Sequence, residues 1–370
     1  MSKSRTGFIM SESIQDLLRR LSETPGISGQ EERVREVIVE ELKPYCREIK
    51  EDPLGNLIAK IGAEDGYRMG LLAHMDEVGL IVDRISEGGL IGFELVGSID
   101  DRALLATEVE IITSHGKRIR GVIGNKSRHL QKVEEAGARV SHDQLWIDIG
   151  GCSRDEILKE GIDIGCGIVF ATRFFEFPNG TLLGKALDDR IGCAVLIQTL
   201  KSLRSCLKST TLYGMFTVQE EIGAKGARVV AFDPRPQMTI TLDTVPTENP
   251  EKLFPHDVDI RRGPVIRLFD WQSSTKLGMV THPAIKARLL EVARGGIRHQ
   301  MDVLAKTYLD SSQAHLTAGG IPRGSICFPR RYAHSPVEVG HLDDIRSGLE
   351  LLTRFIKSLD KDPLLFGKVY

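Results

Sequence analysis

The sequence predicts an α/β protein in which a mixed, mostly parallel sheet is flanked by helices and interrupted by a β-rich insert. Downstream of Gly184, short apolar strands alternate with helical stripes, a pattern typical of a parallel sheet covered on both faces. From about residue 80 to residue 177, the pattern is almost entirely that of strands broken by Gly, Asn and Ser. The 370 residues, 41% of them hydrophobic, suffice for one large domain and a smaller one.

Two helices are predicted before the first strands. Residues 11–22 carry apolar side chains at the spacing of one helical face. Ser28 and Glu31 form the S-x-x-E pattern of a capping box, which predicts the start of a second helix. Three short apolar runs follow, NLIAKIG, RMGLLAH and VGLIVDRI, and the turn residues between them favour strands.

The later elements follow from the same two periodicities. Within the β-rich block, one helix is predicted around Arg154 to Lys159. Beyond Gly184, the predicted helices are IGCAVLIQTLKSL, AKGARVVAF, THPAIKARLLEVARGG and LDDIRSGLELLTRFIKSL. The predicted strands between them are TTLYGMFTV, QMTITL and SICF.

The bulk properties exclude several classes of protein. A formal charge of -2, a pI near 6.6 and the lack of a long basic run argue against a nucleic-acid partner. Residues 1–10 lack the apolar core of a secretory signal, and no stretch is apolar enough to span a membrane. Six cysteines without CxxC spacing favour reduced thiols in the cytoplasm and argue against a thiolate zinc site.

Polar clusters lie at the carboxyl ends of five predicted strands or in the loops that follow them. In open α/β sheets such loops converge on one crevice, so we expect the clusters to form a single site. The clusters are His74 with Asp76, Asp188 with Asp189, Glu220 with Glu221, Asp243, and His334.

These residue types predict a divalent metal site. Imidazole and carboxylate donors without thiolate suit zinc or a similar first-row ion, with cobalt or manganese as alternatives, and suit calcium poorly. The carboxylates are numerous enough for two ions, which could share a hydroxide and polarise a substrate carbonyl. In the Glu220-Glu221 pair, one side chain can face an ion while the other acts as general base. Asp76 could orient the His74 ring by a hydrogen bond.

Each cluster also has an ordinary structural explanation when it is taken alone. His74 with Asp76, Asp243, and His334 could be turn or loop residues. Asp188 and Asp189 could cap a helix and interact with its dipole, and Glu220 and Glu221 could be a solvated pair. Only the five clusters together, in this order, favour the metal site.

The segments AHMDEVG, GKALDDRIG, QEEIGAKGA, TLDT and RYAHSPVEV resemble the TET-type metallo-aminopeptidases. This is the glutamyl or deblocking aminopeptidase family of co-catalytic zinc exopeptidases, some of which were once labelled endoglucanases. The resemblance runs from TPGISGQEERVREVI to HSPVEV and so covers nearly the whole chain. Five motifs in the family's order are far more specific than any one of them.

The resemblance implies a role for each polar residue. The implied metal ligands are His74, Asp188, Glu221, Asp243 and His334, with Asp188 bridging two divalent ions. Glu220 is implied to be the general base, Asp76 the carboxylate that orients His74, and Asp188-Asp189 a cis peptide. The expected reaction is removal of the first residue of a short peptide through attack of a hydroxide held between the ions.

The resemblance also implies a domain arrangement and an assembly. Residues 1–78 and 178–370 would form a catalytic domain of the zinc exopeptidase type. Residues 79–177 would form an inserted, small β-barrel-like dimerisation domain. The implied assembly is a homo-oligomer in which dimers build a tetrahedral dodecamer.

Two departures from the family and three rival functions remain open. Leu309 to His315 replaces a GTDA-like segment, which affects the shape of the pocket, and NKSRHL replaces a proline pair. Arg262 or Arg267 could capture an acidic substrate side chain. An amidase or deacylase acting on N-acyl amino acids is the main alternative; a glycosidase and a non-catalytic assembly protein are the others.

Overall fold

The structure is a computed structural model that describes residues 13–132, 140–247 and 258–367. The first ten residues, for which we predict no secretory signal, lie outside the described part of the chain. None of the described helices combines the length and the apolar character needed to cross a membrane.

The described residues form eight α-helices and eighteen strands. The helices are α1 (Ile14–Glu23), α2 (Glu32–Leu42), α3 (Arg154–Lys159), α4 (Leu187–Leu203), α5 (Ala227–Val230), α6 (Pro283–Ala293), α7 (Ser311–Ala314) and α8 (Leu342–Lys361). The first nine strands are β1 (Glu48–Glu51), β2 (Leu57–Gly62), β3 (Tyr67–His74), β4 (Gly79–Ile85), β5 (Ile91–Val96), β6 (Glu108–Ile112), β7 (Arg118–Gly124), β8 (Trp146–Asp148) and β9 (Gly167–Phe170). The others are β10 (Phe175–Glu176), β11 (Thr181–Gly184), β12 (Thr210–Thr217), β13 (Met238–Pro246), β14 (Val265–Gln272), β15 (Leu277–Val280), β16 (Gln300–Ala305), β17 (Arg323–Arg330) and β18 (Glu338–His341).

The main sheet has nine strands in the order β1-β2-β12-β3-β13-β17-β14-β15, and β16 pairs with β14. Its centre is parallel, because β12 and β13 flank β3 in parallel and β17 continues beside β13. Antiparallel strands, β2 on one side and β14 on the other, border this centre. The carboxyl ends of the four central strands therefore lie at one edge of the sheet.

Helices cover both faces of the main sheet. On one face, α4 packs with α1, α2 and α8 through wholly buried residues such as Leu196, Leu17 and Phe355. On the other face, α5 and α7 bury Ala227 and Ala314 in one cluster with strand residues. A three-stranded antiparallel sheet of β10, β11 and β18 lies outside the main sheet.

The β-rich insert closes on itself. Strands β4-β5-β8-β7-β6-β9 form a closed barrel with a core of its own that includes Leu80, Phe93, Ile111, Ile147 and Ile168. Helix α3 adds Ile157 to that core. The predicted fold class is thus confirmed: a mixed, mostly parallel sheet flanked by helices, with a small barrel inserted. The barrel strands lie within residues 79–177, and the division of the chain into two domains there stays a prediction.

The predicted capping box before α2 is wrong. Glu31 is the residue that precedes the helix, but it makes no side-chain capping hydrogen bond. The Ser28 hydroxyl instead donates to Asp76 Oδ2 over 2.6 Å, a residue that is 48 positions away. A tertiary partner therefore takes the hydroxyl that the local pattern assigned to the helix end.

Three strands at one side of the main sheet, β14, β15 and β16, were not among the predicted strands. Arg267 in β14 is fully buried and forms an ion pair of 2.8 Å with Asp302 in β16. Buried charges of opposite sign on neighbouring strands interrupt the apolar pattern by which strands are recognised.

Candidate active site

Four of the five polar clusters lie where the central strands end. His74 is the last residue of β3, Glu220 and Glu221 follow β12, Asp243 lies near the end of β13, and His334 follows β17. Their convergence is the one expected for a parallel sheet, whose strand ends share an edge.

Asp188 follows a strand, as predicted, but the expectation that this strand belongs to the parallel sheet is wrong. The strand before it, β11, belongs to the three-stranded sheet, and Asp188 lies in the first turn of α4. The Asp188-Asp189 peptide is cis, as the resemblance implies. The backbone N–H of Asp188 donates to Glu338 Oε2 over 3.1 Å. Packing of α4 across the sheet, rather than a strand end, thus brings Asp188 to the site.

His74 is buried and presents one ring nitrogen to Asp188. Its Nδ1 lies 3.1 Å from the backbone oxygen of Asp76, and because that oxygen can only accept, Nδ1 carries the proton. Its Nε2 lies 3.2 Å from Asp188 Oδ1. Burial lowers the pKa of His74, but hydrogen bonds to Asp188 and Asp76 raise it well above its usual value, so without a metal ion Nε2 carries a proton toward Asp188.

His334 is held in the same manner from the opposite side. Its Nδ1 lies 2.9 Å from the backbone oxygen of Ser98, in the loop after β5 of the barrel. Its Nε2 lies 3.3 Å from Asp188 Oδ2 and 3.4 Å from Glu221 Oε2. The backbone of the barrel thus sets the tautomer and orientation of a residue that follows a strand of the main sheet.

The donor atoms form two groups that share Asp188. The groups are His74, Asp188 and Asp243, and Asp188, Glu221 and His334; within each group, one donor atom from each residue lies within 4.8 Å of the others. The Nε2 atoms of His74 and His334 each face a carboxylate oxygen, a contact that needs a positive charge, either a proton on the ring or a metal ion. Glu221 Oε1 is buried and has no hydrogen-bond partner among the described residues. The donor set therefore fits two divalent ions of the zinc type.

The carboxylates of the site are crowded. Burial, then the negative charges around it, chiefly Asp243 and Glu221, raises the pKa of Glu220 well above its usual range. Burial and Asp188 raise the pKa of Glu221 to about 7, and the pKa of Asp243 is raised well above its usual range for the same two reasons. Bound cations would remove this repulsion.

Asp76 holds the Glu220-Glu221 segment in place. Its Oδ1 accepts from the backbone N–H of Glu220 over 3.0 Å, and its Oδ2 accepts from that of Glu221 over 3.1 Å. Asp76 Oδ1 also lies 3.5 Å from His74 Nδ1, farther than the Asp76 backbone oxygen. The hydrogen bond to His74 thus comes from the Asp76 backbone, and the Asp76 carboxylate is placed to position both glutamates.

A cavity of about 990 Å³ opens onto these residues. One wall comes from the barrel loop at Gly97, Ser98 and Ile99. Another comes from Thr307, Tyr308 and Leu309, which precede α7. Leu309 belongs to the departure from the family that was expected to affect the shape of the pocket, whereas nothing local in the barrel loop signals its proximity to the site.

The proposed acidic-substrate residues do not line this cavity. Arg267 is fully buried and paired with Asp302, and Arg262 lies outside the lining, so neither is placed to bind a substrate in the cavity. His315 contacts Arg323 and the Ser311 backbone oxygen instead of the cavity. Among the described residues, the lysine and arginine side chains in the lining are Lys306 and Arg330.

Glu31 is a buried acid next to the site that the sequence interpretation assigned to a helix cap. Its Oε1 accepts from the backbone N–H groups of Gly29 over 2.7 Å and Gln219 over 3.1 Å. Burial, then the negative charge of Asp76, raises the pKa of Glu31 from 4.5 to about 7. Glu31 thus links α2 to the turn that carries Glu220.

We expect Glu31→Gln to flatten the pH dependence of stability. Between pH 4.5 and 7 the folded chain keeps a proton on Glu31 that the unfolded chain releases. The contribution of Glu31 to the free energy of unfolding therefore falls as the pH rises. The free energy of unfolding lost over this range is about 3 kcal/mol, because one pKa unit corresponds to roughly 1.4 kcal/mol. The measurement is the free energy of unfolding of the metal-free protein in urea, compared at pH 5 and pH 8.

Glu32→Gln is the matched control for this prediction, because the Glu32 side chain is 65% exposed. The prediction fails if Glu31→Gln leaves the difference in unfolding free energy between pH 5 and pH 8 as large as in the wild type.

Comparison with known families places the chain. The model of the M42 glutamyl aminopeptidase family matches residues 55–351. The chain belongs to this family. M42 aminopeptidases are peptide hydrolases, and the chain is accordingly an enzyme of the aminopeptidase type.

Individual M42 relatives are similar over nearly their whole length. A protein of Acetivibrio thermocellus is 36% identical over 348 residues, which are 93% of this chain and 99% of the relative. The TET aminopeptidase of Thaumarchaeota archaeon SCGC AB-539-E09 superposes with a TM-score of 0.89 at 29% identity, covering 95% of this chain and 97% of its own. The TET1 peptidase of Pyrococcus horikoshii, described as assembling into a tetrahedron or a large octahedral shell, gives a TM-score of 0.81 at 32% identity, with 92% and 98% covered.

Proposed function

We propose that this chain is a metal-dependent aminopeptidase that removes the first residue of short peptides. One divalent ion would be held by His74, Asp188 and Asp243, and a second by Asp188, Glu221 and His334. The observation that carries the proposal is that the Nε2 atoms of His74 and His334 face different oxygens of Asp188, at 3.2 and 3.3 Å. Zinc is the ion expected from these donors, with cobalt or manganese as alternatives.

The bound ions would polarise the peptide carbonyl and lower the pKa of water. The protein's contribution to proton transfer comes from Glu220, which lines the cavity and belongs to neither donor group. A carboxylate that holds no ion remains able to accept a proton, as a general base must. Glu220 would take a proton from water and pass it to the leaving amine.

The position of Glu220 is fixed by its backbone. Asp76 accepts its N–H, and the Tyr308 hydroxyl donates to its backbone oxygen over 3.2 Å. Asp76 would therefore act as a positioning residue for Glu220 and for the ligand Glu221, as well as for the His74 ring.

The assembly and location of the chain are parts of the same proposal. The TET1 relative supports a homo-oligomer, and residues 79–177 would provide its dimerisation domain, with a tetrahedral dodecamer as the expected form. A cytoplasmic location stays a prediction from the cysteine pattern.

A substrate panel tests the function. Purified protein loaded with zinc, cobalt or manganese should hydrolyse aminoacyl anilides and free dipeptides. N-acetylation of the same substrates should abolish hydrolysis, because the free α-amino group is then lost. Hydrolysis of N-acyl amino acids without cleavage of free dipeptides would instead support the deacylase and contradict this proposal.

A further inference from the structure

Arg330 is a buried cation in contact with the proposed metal ligands. It ends β17, lines the cavity, and is only 2% exposed. Its Nη2 donates to Asp188 Oδ2, and its Nε donates to Thr244 Oγ1 over 2.7 Å. Its Nη1 lies 2.8 Å from Glu338 Oε1 as an ion pair without hydrogen-bond geometry. The sequence interpretation drew only His334 from this part of the chain.

Arg330 donates a hydrogen bond to only one of the two carboxylate oxygens of Asp188. Oδ1 faces His74, whereas Oδ2 faces His334 and also accepts the Arg330 hydrogen bond. The guanidinium therefore occupies one lone pair of the oxygen that belongs to the group with Glu221 and His334.

Glu338 pairs with Arg330 and also accepts hydrogen bonds from the backbone of two residues of the same group. Its Oε2 accepts from the backbone N–H of Asp188, and its Oε1 accepts from that of His334, each over 3.1 Å. The negative charge of Glu338 is thus already engaged by two N–H groups and by the Nη1 of Arg330. Glu338 therefore leaves the direct hydrogen bond from the Arg330 guanidinium to Asp188 in place.

A fixed positive charge in direct contact with one ligand oxygen disfavours a second cation on that oxygen. We propose that Arg330 makes the two ion positions unequal. The position formed by His74, Asp188 Oδ1 and Asp243 fills first, and the position formed by Asp188 Oδ2, Glu221 and His334 fills at a higher metal concentration. This inference rests on the proposed two-ion site, and it makes Arg330 a positioning residue that sets the metal concentration needed for activity.

Metal titration of the full-length, metal-free protein tests the inference. Cobalt alone is the probe, with visible absorption and calorimetry as readouts. The wild type should bind two ions in separate steps whose dissociation constants differ by about tenfold or more. Asp243→Asn should remove the tighter step, and Glu221→Gln should remove the weaker one.

Variants of Arg330 distinguish charge from geometry. Arg330→Met should tighten the weaker step by about tenfold or more and leave the tighter step within about threefold. Arg330→Lys keeps the charge and should keep the two steps apart. Arg330→Gln serves as a second neutral variant if Arg330→Met does not fold. Arg331→Gln is the matched control, because Arg331 pairs with Asp259, which belongs to neither donor group.

The outcomes separate this inference from the proposed function. Two ions of equal affinity in the wild type, or a weaker step that is unchanged or weakened in the neutral Arg330 variants, would overturn the role of Arg330 and leave the two-ion site standing. Binding of fewer than two ions by the wild type would overturn both.

Discussion

Glu220→Gln should abolish almost all turnover while the protein keeps its full complement of metal. The variant removes only the ability to accept a proton, since Gln matches Glu in size. A positioned general base contributes about 10²- to 10⁴-fold to the rate, so we expect kcat to fall by about a thousandfold or more. The measurements are kcat on an aminoacyl anilide and the metal content of the same sample.

The structure explains why metal content should survive this change. Glu220 belongs to neither donor group, and the hydrogen bonds that hold it are made by its backbone N–H and C=O. Glu40→Gln is a suitable control, because its side chain on α2 is 74% exposed. Substantial retained activity in Glu220→Gln would rule out its role as the base, and lost metal would make it a ligand.

Asp188→Asn should have an effect at least as large, for a different reason. Asp188 is the only residue shared by the two donor groups found among the described residues, so its loss weakens both ion positions at once. We expect little bound metal after dialysis and activity reduced by about a thousandfold or more, as when the electrophile for the carbonyl is lost. Metal analysis and kcat at increasing zinc concentrations measure both effects.

Asp243→Asn is the informative comparison for Asp188→Asn, because Asp243 belongs to one group only. Asp243→Asn should weaken the binding of one ion and leave the binding of the other ion unchanged. Chelation of the wild type should likewise abolish activity, and zinc should restore it. Full activity of a sample proven to be free of metal would refute the metal-dependent reaction altogether.

The fold was largely predictable because most elements follow from local periodicity. Helices α1 and α8, the central strands and the closed barrel all have the pattern expected of them. Strands β14 and β16 were missed because a buried ion pair between Arg267 and Asp302 places charges inside the sheet. Such a pair is recognisable only when both partners are known to be adjacent.

Most residues of the candidate site could be predicted from the sequence, but the way in which the fold brings them together could not. His74, Glu220 and His334 lie at strand ends, where a parallel sheet gathers its loops. Asp188 arrives on a helix, and Glu31 and Ser28 serve the site although their spacing indicated a helix cap. Arg330 gave no signal, since a charged residue in an apolar strand is ordinarily found at the surface.

The Ser98 carbonyl that holds the His334 ring couples the barrel to the candidate metal site. Any contact that stiffens the barrel, such as pairing with a second subunit, would also reduce the freedom of His334 and raise its affinity for an ion. Linkage requires the reverse as well, so loading with metal would strengthen the association of subunits by the same factor. Assembly and metal binding would then be linked equilibria, and dilution would favour loss of metal.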